Sequence, residues 1–203
     1  MDARRIRIRT TERLLVVGKT RSGKTTLVAR LTAGVGRLVW CDFKHQQELP
    51  AASVVVWPAP LPAGRVVVRF SPDPAHGSVS EQFDRVCYEV LRRGNTLLVV
   101  DDAMMVTRGQ TAPHWYLQVL TLGASRGVGC ISIVQDPVHV HNALLSQSEH
   151  RFIFRVNVRS HRQKLAGICG DAIDPIAKSL DNFAFAYHHD GLRTPVRCEP
   201  LPV

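Results

Sequence analysis

Long apolar runs are missing from this sequence. No stretch approaches the roughly 18–20 residues that a membrane span requires, and the basic start MDARRIRIR leads into only five apolar or small residues, Leu14 to Gly18, before Lys19. The expectation is a chain with neither a signal peptide nor a transmembrane helix. Cysteine usage is equally restrictive. The five residues, Cys41, Cys87, Cys130, Cys169 and Cys198, are odd in number, far apart and never spaced C-x-x-C. That speaks against a disulfide framework or a zinc site and for a reducing, cytoplasmic compartment. The pairs His139/His141 and His188/His189 have no companion carboxylate or thiol cluster and read as surface or core histidines. Aromatics make up only 6% of residues and do not interleave with the basic runs, which argues against a base-stacking platform for single strands. No internal repeat and no low-complexity linker interrupts the chain. Its 203 residues therefore read as one domain, 1–203, with a basic segment at about 1–12.

What is abundant is positive charge. The net charge is +9, and residues 1–30 carry nine Arg and Lys against Asp2 and Glu12. A second run, Arg151, Arg155, Arg159, Arg162 and Lys164, contains no acid. Such runs are either solvated faces or surfaces that track a polyanion backbone.

Apolar strands alternate with amphipathic helices, the mark of a parallel sheet covered on both faces. Strands are expected at Leu14 to Val17, in RLVWCDFK ending near Asp42, at Val54 to Trp57, at Val66 to Phe70, in TLLVVDD and in GCISIVQ. RFIFRVNV reads as a further strand, and a hairpin is expected around His189-Asp190-Gly191. Helices are expected from about Gly23 to Leu31, over SVSEQFDRVCYEVLRRG with Ser78 and Glu81 at capping-box spacing, and over APHWYLQVLTLGAS. Another helix is expected to be capped by Asp136-Pro137.

The chemistry is concentrated at strand ends. Gly18 through Thr25 fit G-x-x-x-x-G-K-[ST] between a predicted strand and a predicted helix. In that context the glycines let backbone N–H groups surround phosphates at a helix N-terminus. The nucleotide loop is then Gly18, Lys19, Thr20, Arg21, Ser22, Gly23, Lys24, Thr25 and Thr26. Lys24 would reach the β- and γ-phosphates, and Thr25 would ligate Mg²⁺. TLLVVDDA supplies Asp101 for the metal's water shell and Asp102 to activate the attacking water. Gln135, ending GCISIVQ, is placed to contact the γ-phosphate or the water.

Taken together, GKTRSGKTT, VWCDFK with its Asp-x-Lys, LLVVDD and SRGVGCISIVQDP resemble the FtsK–HerA superfamily of hexameric DNA pumps. ALLSQSEHRFIFRV is similar to that family's next helix and strand, so the resemblance covers nearly the whole chain. The small size most resembles the genome-packaging ATPases of membrane-containing icosahedral viruses. The resemblance implies a three-layer α/β, RecA-like P-loop NTPase fold of the additional-strand type with a mainly parallel sheet. It implies an ATP- and Mg²⁺-dependent double-stranded DNA translocase working as a homo-oligomeric ring, a hexamer. Such a ring would act against a capsid vertex or a membrane-associated portal protein, in the host cytoplasm or with the virion. Arg126, three residues before Gly129, matches the family's trans-acting arginine, with Arg151, Arg155, Arg159 and Arg162 as alternatives. The chain departs from the family in two places: Asp102 stands where the family has Glu, one methylene longer, and Val134 where it has a small hydroxyl residue. A plasmid or conjugative DNA pump shares every motif. A small nucleotide kinase and a non-catalytic, nucleotide-gated assembly subunit are the other readings.

Overall fold

A computed structural model of the chain describes residues 7–200; residues 1–6 of the basic N-terminal segment lie outside the described residues. The strands are β1 (Arg13–Val17), β2 (Leu38–Asp42), β3 (Ser53–Trp57), β4 (Arg65–Phe70), β5 (Leu97–Asp101), β6 (Gly129–Val134), β7 (His150–Phe154), β8 (Phe185–His189) and β9 (Val196–Cys198). All nine join one sheet in the order β3-β4-β2-β5-β6-β1-β7-β8-β9. From β3 to β7 every pairing is parallel. The β7-β8 and β8-β9 pairings are antiparallel. β6 lies between β1 and β5, which is the additional strand that the family resemblance implied.

Alternation along the strands divides the interior into two cores. Leu15, Val17, Val39, Cys41, Leu98, Val100, Cys130 and Val134 belong to one. They lie with the buried side chains of α2 (Val79–Arg93), α3 (His114–Leu122), α4 (Asn142–Ser146), α5 (Arg159–Cys169) and α6 (Ile173–Ser179). Leu14, Val16, Leu38, Trp40, Val99, Ile131 and Ile133 belong to the other, with Leu27 and Val28 of α1 (Lys24–Leu31). Strands buried on both faces need continuous apolar sequence, which is why they were legible. α2 begins with the expected capping box: Ser78 and Glu81 exchange backbone and side-chain hydrogen bonds. Among the described residues no helix is long and apolar enough to cross a membrane.

Three expectations are corrected. Asp136 accepts from the N–H groups of Val138 and His139, but no helix follows it; α4 begins at Asn142 and is capped by His141. The strand read through Val158 ends at Phe154, since Arg155, Asn157 and Val158 are exposed. The basic run beyond it forms α5. Arg151 and Arg162 do not face a polyanion: both are buried, with Arg151 paired to Asp190 and Arg162 to Asp174. Buried guanidinium groups require such partners.

Candidate nucleotide site

β1, β5 and β6 end at one edge of the sheet, and the backbone register sets what meets there. Val17 pairs with Val134, and Gly18 N–H donates to Val134 O at 3.1 Å. The phosphate loop and Gln135 therefore leave the sheet at the same level, beside the end of β5. Two glycines are structurally required in the loop. A Cβ on Gly18 would meet Phe154 Cβ at 2.7 Å and Ser22 Oγ at 2.8 Å, and Gly23 has φ 98°. Lys19, Thr20 and Arg21 are exposed, whereas Lys24 is buried and donates to Lys19 O at 2.8 Å. Burial lowers its pKa from 10.5 to about 8, opposed by the carboxylates of Asp101 and Asp102. Ser22 Oγ is buried and makes no hydrogen bond among the described residues. A glycine-framed loop at a helix N-terminus with an orphan hydroxyl and a buried ammonium suits a polyphosphate.

The acids sit across from the loop. Asp101 ends β5 opposite Asp42 of β2. Burial, and secondly the Asp42 charge, raises the Asp101 pKa to about 6. The Asp101 carboxylate, with half-buried Thr25 in the first turn of α1, offers oxygen donors of the kind that a hard divalent cation takes. Asp102 is buried in a left-handed backbone conformation, φ 70° and ψ 67°. Gln135 Nε2 donates to its Oδ2 at 2.8 Å, and Thr20 Oγ1 donates to Gln135 Oε1 at 2.9 Å. A hydrogen-bonded line thus joins the phosphate loop to the second acid, despite Val134 in place of the family's small hydroxyl residue.

Sequence reasoning quoted Asp-x-Lys but gave Lys44 no role. In the structure Lys44 Nζ lies 2.7 Å from Asp102 Oδ2. The adjacency of β2 and β5 creates this contact, and strand order is not written in the local sequence. Two concavities flank the loop. One, of about 520 Å³, is lined by Asp102, Met104, Met105, Arg108, Gln135 and His139. There the loop after β5 is tied to the loop after β6 by Gly109 N–H donating to His139 O at 2.9 Å. The other, of about 270 Å³, lies on the β7-β8 side and is lined by Gly23, Thr26, Arg30, Phe154, Phe183 and Phe185 among others. Phe183, 57% exposed, was not singled out by the sequence pattern.

The arginines divide between the two sheet edges. Arg126 is exposed and precedes β6, at the edge opposite the phosphate loop, about 20 Å from Gln135 at about 3.3 Å per strand residue. Arg155 directly follows β7, which pairs in parallel with β1, so it is exposed at the loop's own edge.

No protein-family model matches the sequence, and no match is found among curated proteins. Among solved structures, the chain is similar to the genome packaging NTPase B204 from Sulfolobus turreted icosahedral virus 2 in complex with AMP. The TM-score is 0.78 at 14% identity, covering 96% of this chain and 100% of that one. It is also similar to VirB4 of Thermoanaerobacter pseudethanolicus, with TM-score 0.72, 11% identity and coverage of 94% and 90%. The pCW3 conjugation coupling protein TcpA, solved as a monomer with ATPgS, gives TM-score 0.61, 11% identity and coverage of 93% and 59%. The class defined by this fold is the P-loop NTPase with a mostly parallel sheet. At these identities the likeness is one of fold, and within it the chain follows the viral packaging NTPase over nearly its whole length.

Proposed function

We propose that the chain is an ATP hydrolase of the FtsK–HerA superfamily that moves double-stranded DNA, most specifically a packager of viral genomes. The observation that carries this reading is the meeting of Lys24, Asp101, Asp102 and Gln135 at one sheet edge, joined by hydrogen bonds from Thr20 through Gln135 to Asp102. The loop binds the phosphates, with Lys24 meeting β- and γ-phosphate charge. Asp102 takes a proton from water as the new P–O bond forms and the bond to the bridging oxygen breaks. Gln135 orients that water. Thr25 and Asp101 would hold Mg²⁺, which when bound neutralises charge on the phosphoryl oxygens. The nucleobase lies in the Phe154-Phe183-Phe185 concavity, on the side of the loop away from Asp102.

The subunits act as a homo-oligomeric ring, a hexamer, with Arg126 reaching a neighbour's γ-phosphate. DNA is held through its backbone by exposed basic residues, and the ring works in the host cytoplasm or with the virion, docked on a capsid vertex or portal protein. A conjugative pump is the second reading, favoured by the likeness to VirB4 and TcpA; the higher TM-score to the packaging NTPase supports packaging. The test is ATPase activity of the purified chain with and without duplex DNA across a salt series. Stimulation should be indifferent to sequence, and log affinity should fall against log salt by about 0.9 per phosphate contact. A flat salt dependence, or dependence on one short sequence, refutes a translocase.

A further inference from the structure

Asp102 is held by one of its two oxygens. Oδ2 accepts from Gln135 Nε2 at 2.8 Å and lies 2.7 Å from Lys44 Nζ, while Oδ1 is buried and makes no hydrogen bond among the described residues. Two donors converging on one oxygen fix the rotation of the carboxylate, and a general base must be held within hydrogen-bond reach of the proton it takes.

The lysine is presented by a built turn rather than by a loose surface chain. Asp42, 1% exposed, accepts from Lys44 N–H at 3.2 Å and Gln47 N–H at 2.8 Å and lies 3.5 Å from Arg69 Nε. Between acid and lysine, Phe43 stacks on Phe70 with ring centroids 4.8 Å apart and meets Phe83 edge-on. In the tripeptide Asp42-Phe43-Lys44 the acid therefore closes the turn, the phenyl ring anchors it in the core and the ammonium is delivered to Asp102.

We propose that Lys44 is a positioning residue for hydrolysis: its ammonium, with Gln135, clamps Asp102 Oδ2 and so fixes the orientation of the carboxylate that meets the attacking water. The clamp and the left-handed backbone at Asp102 together re-aim an acid one methylene shorter than the Glu of the resembled pattern. This rests on the hydrolase reading of the same site. The requirement is geometric, since an exposed pair without such an anchor contributes little.

The test uses the purified chain with Lys44→Met, Lys44→Arg and Asp102→Asn, and Lys44→Met combined with Asp102→Asn. Lys44→Met should lower single-turnover ATP hydrolysis by about 10–100-fold, with ATPγS affinity within about twofold of wild type, and Lys44→Arg should recover part of the rate. In the Asp102→Asn background, Lys44→Met should cost nothing further, because Lys44 acts only through the carboxylate. An equal loss in both backgrounds overturns the proposal, as does a large loss of ATPγS affinity, which would make Lys44 a phosphate ligand. A crystal structure of Lys44→Met gives a readout independent of turnover: the Asp102 carboxylate should rotate from its place on Gln135, and an unmoved carboxylate overturns the proposal. A wild-type protein that hydrolyses nothing refutes the hydrolase reading instead, and the crystal structure still decides the tether.

Discussion

Removing the loop lysine should make the protein more stable. Lys24 is 7% exposed, and burial lowers its pKa from 10.5 to about 8. At 1.36 kcal/mol per unit, that depression is worth about 3 kcal/mol against the folded state. Discounting for the solvent-open mouth of the loop and for the lost bond to Lys19 O leaves about 1–2 kcal/mol. Lys24→Met should therefore raise the melting temperature of the protein without nucleotide by about 2–8 °C, at about 2–4 °C per kcal/mol for a chain of this size, while abolishing ATP binding. The sign fixes the pH window. Below pH 8 the lysine is charged in both states, so the folded state carries the full penalty and the variant shows its full gain. Between about pH 8 and 10.5 the unfolded chain binds more protons, wild-type stability rises with pH, and the gain fades. Scanning calorimetry at pH 7 and pH 10.5 measures both limits. A lower melting temperature for the variant at pH 7 refutes the argument; a gain undiminished at pH 10.5 shows better apolar packing rather than relief of a buried charge.

Two further outcomes test the proposed nucleotide and ring geometry. Phe183→Ala should weaken ATP and GTP binding alike by about 10-fold, because stacking is worth about 1–3 kcal/mol per base and reads no base edge; titration showing a loss confined to one nucleotide contradicts a stacking shelf. Mixing Arg126→Ala with Lys24→Ala subunits should restore part of the turnover that each lacks alone, since a trans arginine contributes about 10³–10⁵ in rate; no recovery in verified rings removes Arg126 from that role.

The parts legible in the sequence are those whose physics is local. Lys24, Asp101, Asp102 and Gln135 each follow a strand or loop whose pattern is complete within a few residues, and the parallel sheet brings their ends together. α5 and α6 were not legible for equally local reasons. α5 is capped by Val158 without a side-chain hydrogen bond and turns Arg162 inward beside Leu165 and Cys169, so its buried face is not an apolar stripe. α6 carries Pro175 in its first turn. Lys44 fails for the opposite reason: its partner is distant in sequence, and only the order β2-β5 brings the two together.

Charge shows where sequence reading stops. The run from Arg151 to Lys164 looks uniform as text, yet the fold sorts it residue by residue. The Arg151 and Arg162 side chains are 4% and 8% exposed and are paired with acids from later in the chain, so neither can act as an arginine finger without unfolding its surroundings. Arg155 and Arg159 are exposed, and Arg155 stands at the phosphate-loop edge, where it would serve its own subunit's nucleotide or the neighbour lying against that edge. Arg126 stands at the opposite edge, where a contribution to catalysis requires a second subunit. The choice between them is therefore a choice between ring geometries, and subunit mixing distinguishes them through the edge each arginine occupies. Should Arg126 fail, Arg155 is next on structural grounds, and Arg151 no longer qualifies.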